Sequence, residues 1–136
     1  MYLVQIEVKN SPIQGKGVFT LQKITTGEVV WKFDPTHDKV LSVEEFKKLD
    51  KTTQTNLKRV AYLSVSSDRY VYPPGDDPAK FTNHDDKCNN LSALINKNIS
   101  EEPYFIANKD IEIGEELTNN YSEFDESLKQ NKPEWI

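Results

Sequence analysis

The chain has 136 residues, 36% of them hydrophobic and 29% charged, with a formal net charge of −5. Area scaling for that length buries roughly two-thirds of the chain's surface, enough for one domain with one core, while the acidic balance argues against a nucleic-acid binder held by bulk charge and fits a neutral or basic partner. The lone cysteine, Cys88, excludes an internal disulfide framework and a four-cysteine zinc site and suggests a cytoplasmic or otherwise intracellular setting; no apolar run spans a bilayer, and the N-terminus does not read as a signal peptide.

The first third of the chain reads as β structure. Leu3 to Val8 alternates, placing Val4, Ile6 and Val8 on one face. Asn10 to Gly17 is dense in turn formers and precedes a second strand, Val18 to Leu21. The turn Thr25-Thr26-Gly27-Glu28 leads into a third strand, Val29 to Phe33, ended by Asp34-Pro35. Ser42-Val43-Glu44-Glu45 has the form of a capping box, and Val43, Phe46 and Leu49 follow on one helical face. Leu57, Val60 and Ala61 continue a similar stripe, whereas Asp50 to Thr53 is weak helix, so two short helices with a break there are expected. Strands return at Tyr70 to Tyr72, Leu91 to Ile95, Tyr104 to Ala107 and Leu117 to Tyr121. No internal repeat or low-complexity segment is present.

Three segments are polar or glycine-rich where a core would want neither. Gly15-Lys16-Gly17 lets the backbone take positive φ or approach a ligand closely, although a plain hairpin turn accounts for it too. Phe81 to Asn90 gathers His84, Cys88 and the carboxylates Asp85 and Asp86. That loop is open to three readings: a metal site, a cysteine nucleophile with a histidine base, or a hydrogen-bonded polar loop. Four ligands so close on one loop suit tetrahedral geometry poorly, and nothing in the sequence activates the thiol. Gly114 to Tyr121 reads as a turn and an edge strand carrying one tyrosine.

Taken in order, the three segments resemble a SET domain, the fold of one class of protein lysine methyltransferases. Ser11-Pro12-Ile13-Gln14-Gly15-Lys16-Gly17-Val18-Phe19 is similar to that family's opening G-x-G motif. Phe81-Thr82-Asn83-His84 looks like its R-F-x-N-H, with Lys80 in place of the arginine, and Asn89 falls where N-H-S-C-x-P-N ends. Ala107 to Ile111 and Gly114 to Thr118 are similar to the lead-in to the last motif. The layout looks most like the small stand-alone SET proteins of bacteria, and a viral SET enzyme is comparably short.

The resemblance implies a mainly β fold of the β-clip SET type, with short curved strands, a pseudoknot and one or two short helices. It implies one domain over residues 1–136, with a core of about 2–125 and a tail of 126–136. It implies S-adenosylmethionine as methyl donor and a protein or peptide lysine as acceptor, possible histone-like substrates included. The donor-binding residues it points to are Lys16, Gly17, Tyr62, Asn83, His84, Tyr121 and Phe124. Tyr121 takes the place of the catalytic tyrosine, and Tyr62, Asn119, Tyr121 and Trp135 would line the lysine channel. No metal ligand, nucleic-acid partner or membrane partner is implied, and a homodimer is compatible with so small a domain.

Several residues depart from the family pattern. Asp85 and Asp86 replace Ser-Cys, Cys88 replaces proline, and Asn119 stands where an aromatic residue often governs how many methyls are added. The tail lacks the cysteines of a post-SET zinc segment. Two other functions remain open at this point: a SET-fold binding module without catalysis, and a metal-dependent hydrolase built on His37, His84, Asp85 and Cys88. Asp76, Asp77, Asp85 and Asp86 are expected to form an acidic surface toward a lysine-rich substrate.

Overall fold

The computed structural model describes residues 1–129. Strands β1 (Ile6–Asn10) and β2 (Lys16–Thr20) form an antiparallel hairpin with Ile6 opposite Thr20. Gly15 turns the corner at φ +48°, in the left-handed region that side chains disfavour, and its carbonyl accepts from Ser11 N at 2.8 Å. Val4, Ile6 and Val8 alternate with exposed neighbours as expected. The strand begins at Ile6 rather than Leu3, because Leu3 N donates to Val30 O and Tyr2 bridges Trp31.

Three small sheets carry the fold. Strand β3 (Val29–Trp31) pairs with β9 (Tyr104–Ala107), which pairs with β8 (Leu91–Leu94). Strand β6 (Arg69–Tyr72) lies between β4 (Lys39–Ser42) and β5 (Tyr62–Leu63). The third sheet runs β1, β2, β10 (Glu116–Asn119), β7 (Asn83–His84). Its last pair is parallel, with Thr118 opposite Asn83 and Asn119 opposite His84. Here two segments far apart in the chain lie side by side. Strands β5 and β7 are two residues each, too short to leave a periodic pattern in sequence.

Ser42 caps α1 (Val43–Lys47) with both arms of the capping box formed, Glu45 N to Ser42 Oγ and Ser42 N to Glu45 Oε1, each at 3.0 Å. Phe46 is buried and stacks on Tyr70, ring centroids 4.1 Å apart. Helix α2 (Lys51–Lys58) corrects one expectation. Asp50 to Thr53 is not the break: Asp50 is the N-cap, accepting from Thr53 N at 3.2 Å and Thr53 Oγ1 at 2.5 Å. That cap satisfies an otherwise orphaned amide and offsets the weak helix propensity of the threonines. The interruption falls before it, at Lys48 and Leu49.

The core is one contiguous cluster in which Val18, Ile24, Val30, Leu91, Ile111 and Leu117 are fully buried and Trp31, Phe33, Phe105 and Phe124 nearly so. All three sheets contribute to it. Among the described residues no helix is long and apolar enough to cross a membrane.

Candidate active site

The hairpin turn, β7 and β10 meet at one carboxylate. Glu116 accepts from Ser11 Oγ at 2.7 and 2.9 Å and from Asn83 Nδ2 at 2.8 Å. Asn83 Nδ2 also lies 3.1 Å from Lys16 O and 3.2 Å from Gln14 O. Gly17 is the residue that allows this approach, because a Cβ there would stand 2.2 Å from Glu116 Oε2. Lys16, Gly17 and Asn83 are thus brought together by a partner that sequence reasoning did not single out.

His84 joins this group to the tyrosine. Its Nδ1 accepts from Tyr121 N at 3.0 Å, and the two rings lie 4.9 Å apart between centroids. Tyr121 opens a 3-10 turn, Tyr121–Glu123, capped by Asn120, whose side chain accepts from Ser122 N. The Tyr121 hydroxyl donates to Thr82 O at 2.6 Å. Burial holds its phenol well above the ordinary tyrosine range, at about 12, so it stays a neutral donor at physiological pH.

On the far side of Tyr121 lies a cavity of about 330 Å³. Tyr62, Asn119, Tyr121 and Phe124 line it, whereas Lys16, Gly17, Asn83 and His84 do not. Phe124 sits at the centre of an aromatic cluster, 5.0 Å from Tyr62, 4.9 Å from Phe105 and 5.9 Å from Tyr121, all edge to face. Four buried polar atoms of lining residues have no hydrogen-bond partner among the described residues: Tyr62 Oη, Asn119 Oδ1, Asp38 Oδ1 and Trp31 Nε1. Burial raises the Tyr62 phenol well above its usual range. Asp125 closes one edge, its Oδ1 accepting from Leu63 N, Ser127 N and Ser127 Oγ, and burial raises its carboxyl above the usual value. Trp135 lies outside the described residues.

Sequence reasoning missed several lining residues. Tyr2 donates to or accepts from Thr82 Oγ1 at 2.6 Å, and Trp31, Phe105 and Thr82 complete the wall. Nothing local marks Tyr2, which reaches the site from 80 residues away in the chain. The final asparagine of the loop is also reassigned. The Asn89 side chain bonds locally, to Leu91 O, while the buried Asn90 donates to Glu116 O at 2.8 Å and accepts from Thr118 N at 2.9 Å. Asn90 therefore ties the loop to β10.

The loop itself is a regular turn. Asp85 Oδ1 accepts from Lys87 N and Cys88 N, and those bonds hold its carboxyl below the usual range. Cys88 is exposed. The hydrolase reading loses its site, because His37 lies against Asp77 and groups with Asp38 and Asp77, not with Cys88, His84 or Asp85. The expected acidic surface is also smaller. Asp77 is buried, and its carboxylate caps the 3-10 turn Pro78–Phe81 through Ala79 N. Lys58, Arg59 and Lys80 line the cavity together with Asp38 and Asp125, so its rim carries mixed charge.

Comparison with curated proteins returns no significant sequence match. Among solved structures, a Plasmodium falciparum protein described as a candidate histone methyltransferase superposes with a TM-score of 0.59 at 20% identity, covering 87% of this chain and 93% of that one. The likeness is one of fold. The family model for the SET domain matches residues 15–122, from the glycine turn to just past Tyr121. The chain belongs to the SET domain family.

Proposed function

We propose that the protein is an S-adenosylmethionine-dependent methyltransferase acting on a lysine side chain of a protein substrate. The observation that carries this reading is the cavity beside Tyr121. It is walled by aromatic rings, and two of its partnerless buried groups, the Tyr62 hydroxyl and Asn119 Oδ1, lie beside them. An unsatisfied buried polar group costs about 1–3 kcal/mol; Asn119 Oδ1 can only accept and the neutral Tyr62 hydroxyl can donate or accept, so the pair favours an occupant with an N–H and a lone pair. The ε-amine of a lysine is such a group, and the aromatic walls suit its methylene stem.

The residues on the other side of Tyr121 fit the methyl donor. Lys16, Gly17 and Asn83 form a compact backbone and amide corner, and Asn83 Nδ2 is occupied, leaving Oδ1 as the acceptor for an ammonium. His84 would border the adenine end, whereas Phe124 lies in the cavity wall. When bound, the donor supplies an electrophilic methyl on a sulfonium. The chain's part is to orient and desolvate. Tyr121 is fixed at both its amide and its hydroxyl, so it orients the incoming amine without a full charge of its own. The aromatic part of the wall desolvates the amine and so disfavours an ammonium. That matters because neutralising a lysine of pKa about 10.4 at pH 7 costs roughly 4–5 kcal/mol. Each methyl added removes one N–H from the amine. Asn119 Oδ1, which can only accept, therefore favours products short of trimethylation, which mass spectrometry of the modified peptide reads directly.

The test is donor binding by calorimetry together with tritiated methyl transfer into lysate proteins. Tyr121→Phe is expected to keep donor binding and lose turnover by about 100-fold or more. Unchanged turnover in that variant overturns the mechanism. Donor binding with no turnover on any lysate leaves the binding-module reading instead.

A further inference from the structure

Behind the cavity wall, on its Asp38 side, two loops bring together groups that the methyl-transfer reading does not use. His37, Asp38 and Asp77 each offer one ligand atom, and these atoms all lie within 4.8 Å of one another. The two carboxylate side chains are 1% and 5% exposed, and the imidazole is 33% exposed. Two carboxylates that close and that buried repel unless a cation joins them.

The existing partners do not complete the cluster. Asp38 Oδ2 accepts from Asp34 N at 2.9 Å and from the Met1 ammonium at 3.2 Å. Asp38 Oδ1 is buried and accepts nothing among the described residues. Asp77 Oδ1 accepts from Ala79 N at 2.7 Å, and Asp77 Oδ2 contacts His37 Nε2. One oxygen of a nearly fully buried carboxylate is thus left open beside an imidazole and a second carboxylate.

We propose that His37, Asp38 and Asp77 form a binding site for one divalent metal ion. One nitrogen and two oxygen donors suit a borderline ion such as Zn²⁺ or Mn²⁺. Two ligands of tetrahedral zinc stand about 3.4 Å apart at bond lengths near 2.0–2.1 Å, so side-chain rotations over roughly 1 Å are needed, opening the His37–Asp77 contact and closing the longer separations. The partly exposed His37 gives the ion a path in, and the fourth position is left for water. The ion would clamp the turn at 34–38 to the turn at 74–77. Asp38 and Ala79 both line the cavity, so the clamp stiffens that wall without touching the transferred methyl.

The test uses the full chain without a histidine tag, stripped by chelator and titrated with ZnCl₂ in a calorimeter. One equivalent is expected to bind and to raise the unfolding temperature. His37→Gln and Asp77→Asn are each expected to weaken binding by more than about tenfold, the lower end of what even outer-shell losses cost. Asp77→Asn keeps an oxygen for Ala79 N, and far-UV circular dichroism checks both folds. Cys88→Ser is expected to bind as the unaltered chain does. Absence of saturable binding overturns the proposal. So does binding that survives both ligand variants or that disappears with Cys88.

Discussion

Gly17→Ala probes the contact on which the donor side of the site is built. The backbone at Gly17 is outside the left-handed region, so any penalty comes from contact and not from φ. The new Cβ would lie 2.2 Å from Glu116 Oε2, 2.8 Å from its Cδ and 3.1 Å from Ser11 Cβ. The chain has two ways to relieve this. Moving the backbone costs what overpacking usually costs, about 1–3 kcal/mol. Swinging Glu116 away gives up bonds from Ser11 and Asn83 to a charged acceptor, about 1.5–3 kcal/mol each. The first route is cheaper but strained by a clash this close, so a loss of about 3 kcal/mol is expected. With a urea m-value of about 2 kcal/mol/M, the unfolding midpoint falls by roughly 1.5 M. In a Glu116→Ala background only Ser11 Cβ remains of the three nearest atoms, and the cost should drop below about 1 kcal/mol. The double-mutant cycle therefore carries the test. A loss under about 0.5 kcal/mol in the single variant, or an equal loss in both backgrounds, refutes the steric account.

Two other expectations concern neighbouring residues. Asn90→Ala should cost about 2–4 kcal/mol in urea unfolding, because two bonds to β10 are lost in a buried setting, whereas Asn89→Ala should cost less than about 1 kcal/mol. Equal costs would return the loop's anchoring role to Asn89. The Tyr121 phenol is raised from 10.0 in the unfolded chain to about 12 in the fold, so its favourable burial is fully present below pH 10 and is lost as pH rises through 12. Alkaline unfolding should accordingly steepen across that window and flatten in Tyr121→Phe, and an unaltered alkaline limb in that variant would contradict the assignment.

The residues that could be read from sequence are those whose role is local. The capping box at Ser42, the turn at Gly15 and the alternation of Val4, Ile6 and Val8 each follow from a few neighbouring positions. The order of the glycine turn, the Asn83-His84 pair and Tyr121 identified the family. What stayed hidden depends on pairing across the chain. Glu116 looked like one of two glutamates in a turn, yet it is the acceptor that Ser11 and Asn83 share. Tyr2 and Thr82 became wall residues only through a contact spanning most of the domain. Asp77 reads as surface charge because it lies at the start of the almost wholly polar run from Asp76 to Asn90, and only the fold shows it buried against His37.

The parallel pair of β7 and β10 also governs when the site can exist. Residues 83–84 find their partner only after residues 118–119 have been synthesised, and β2 has its second neighbour only then. Non-local pairing of this kind is slow, because chain entropy is lost before any contact is gained. A nascent chain that has emerged only as far as the turn at Gly114 therefore presents an open β2 edge and no completed donor corner. For that interval it is exposed to strand addition by other chains, the hazard of any bare sheet edge. Competence for the proposed chemistry and protection from aggregation arrive together, in the last few residues of the fold to be made.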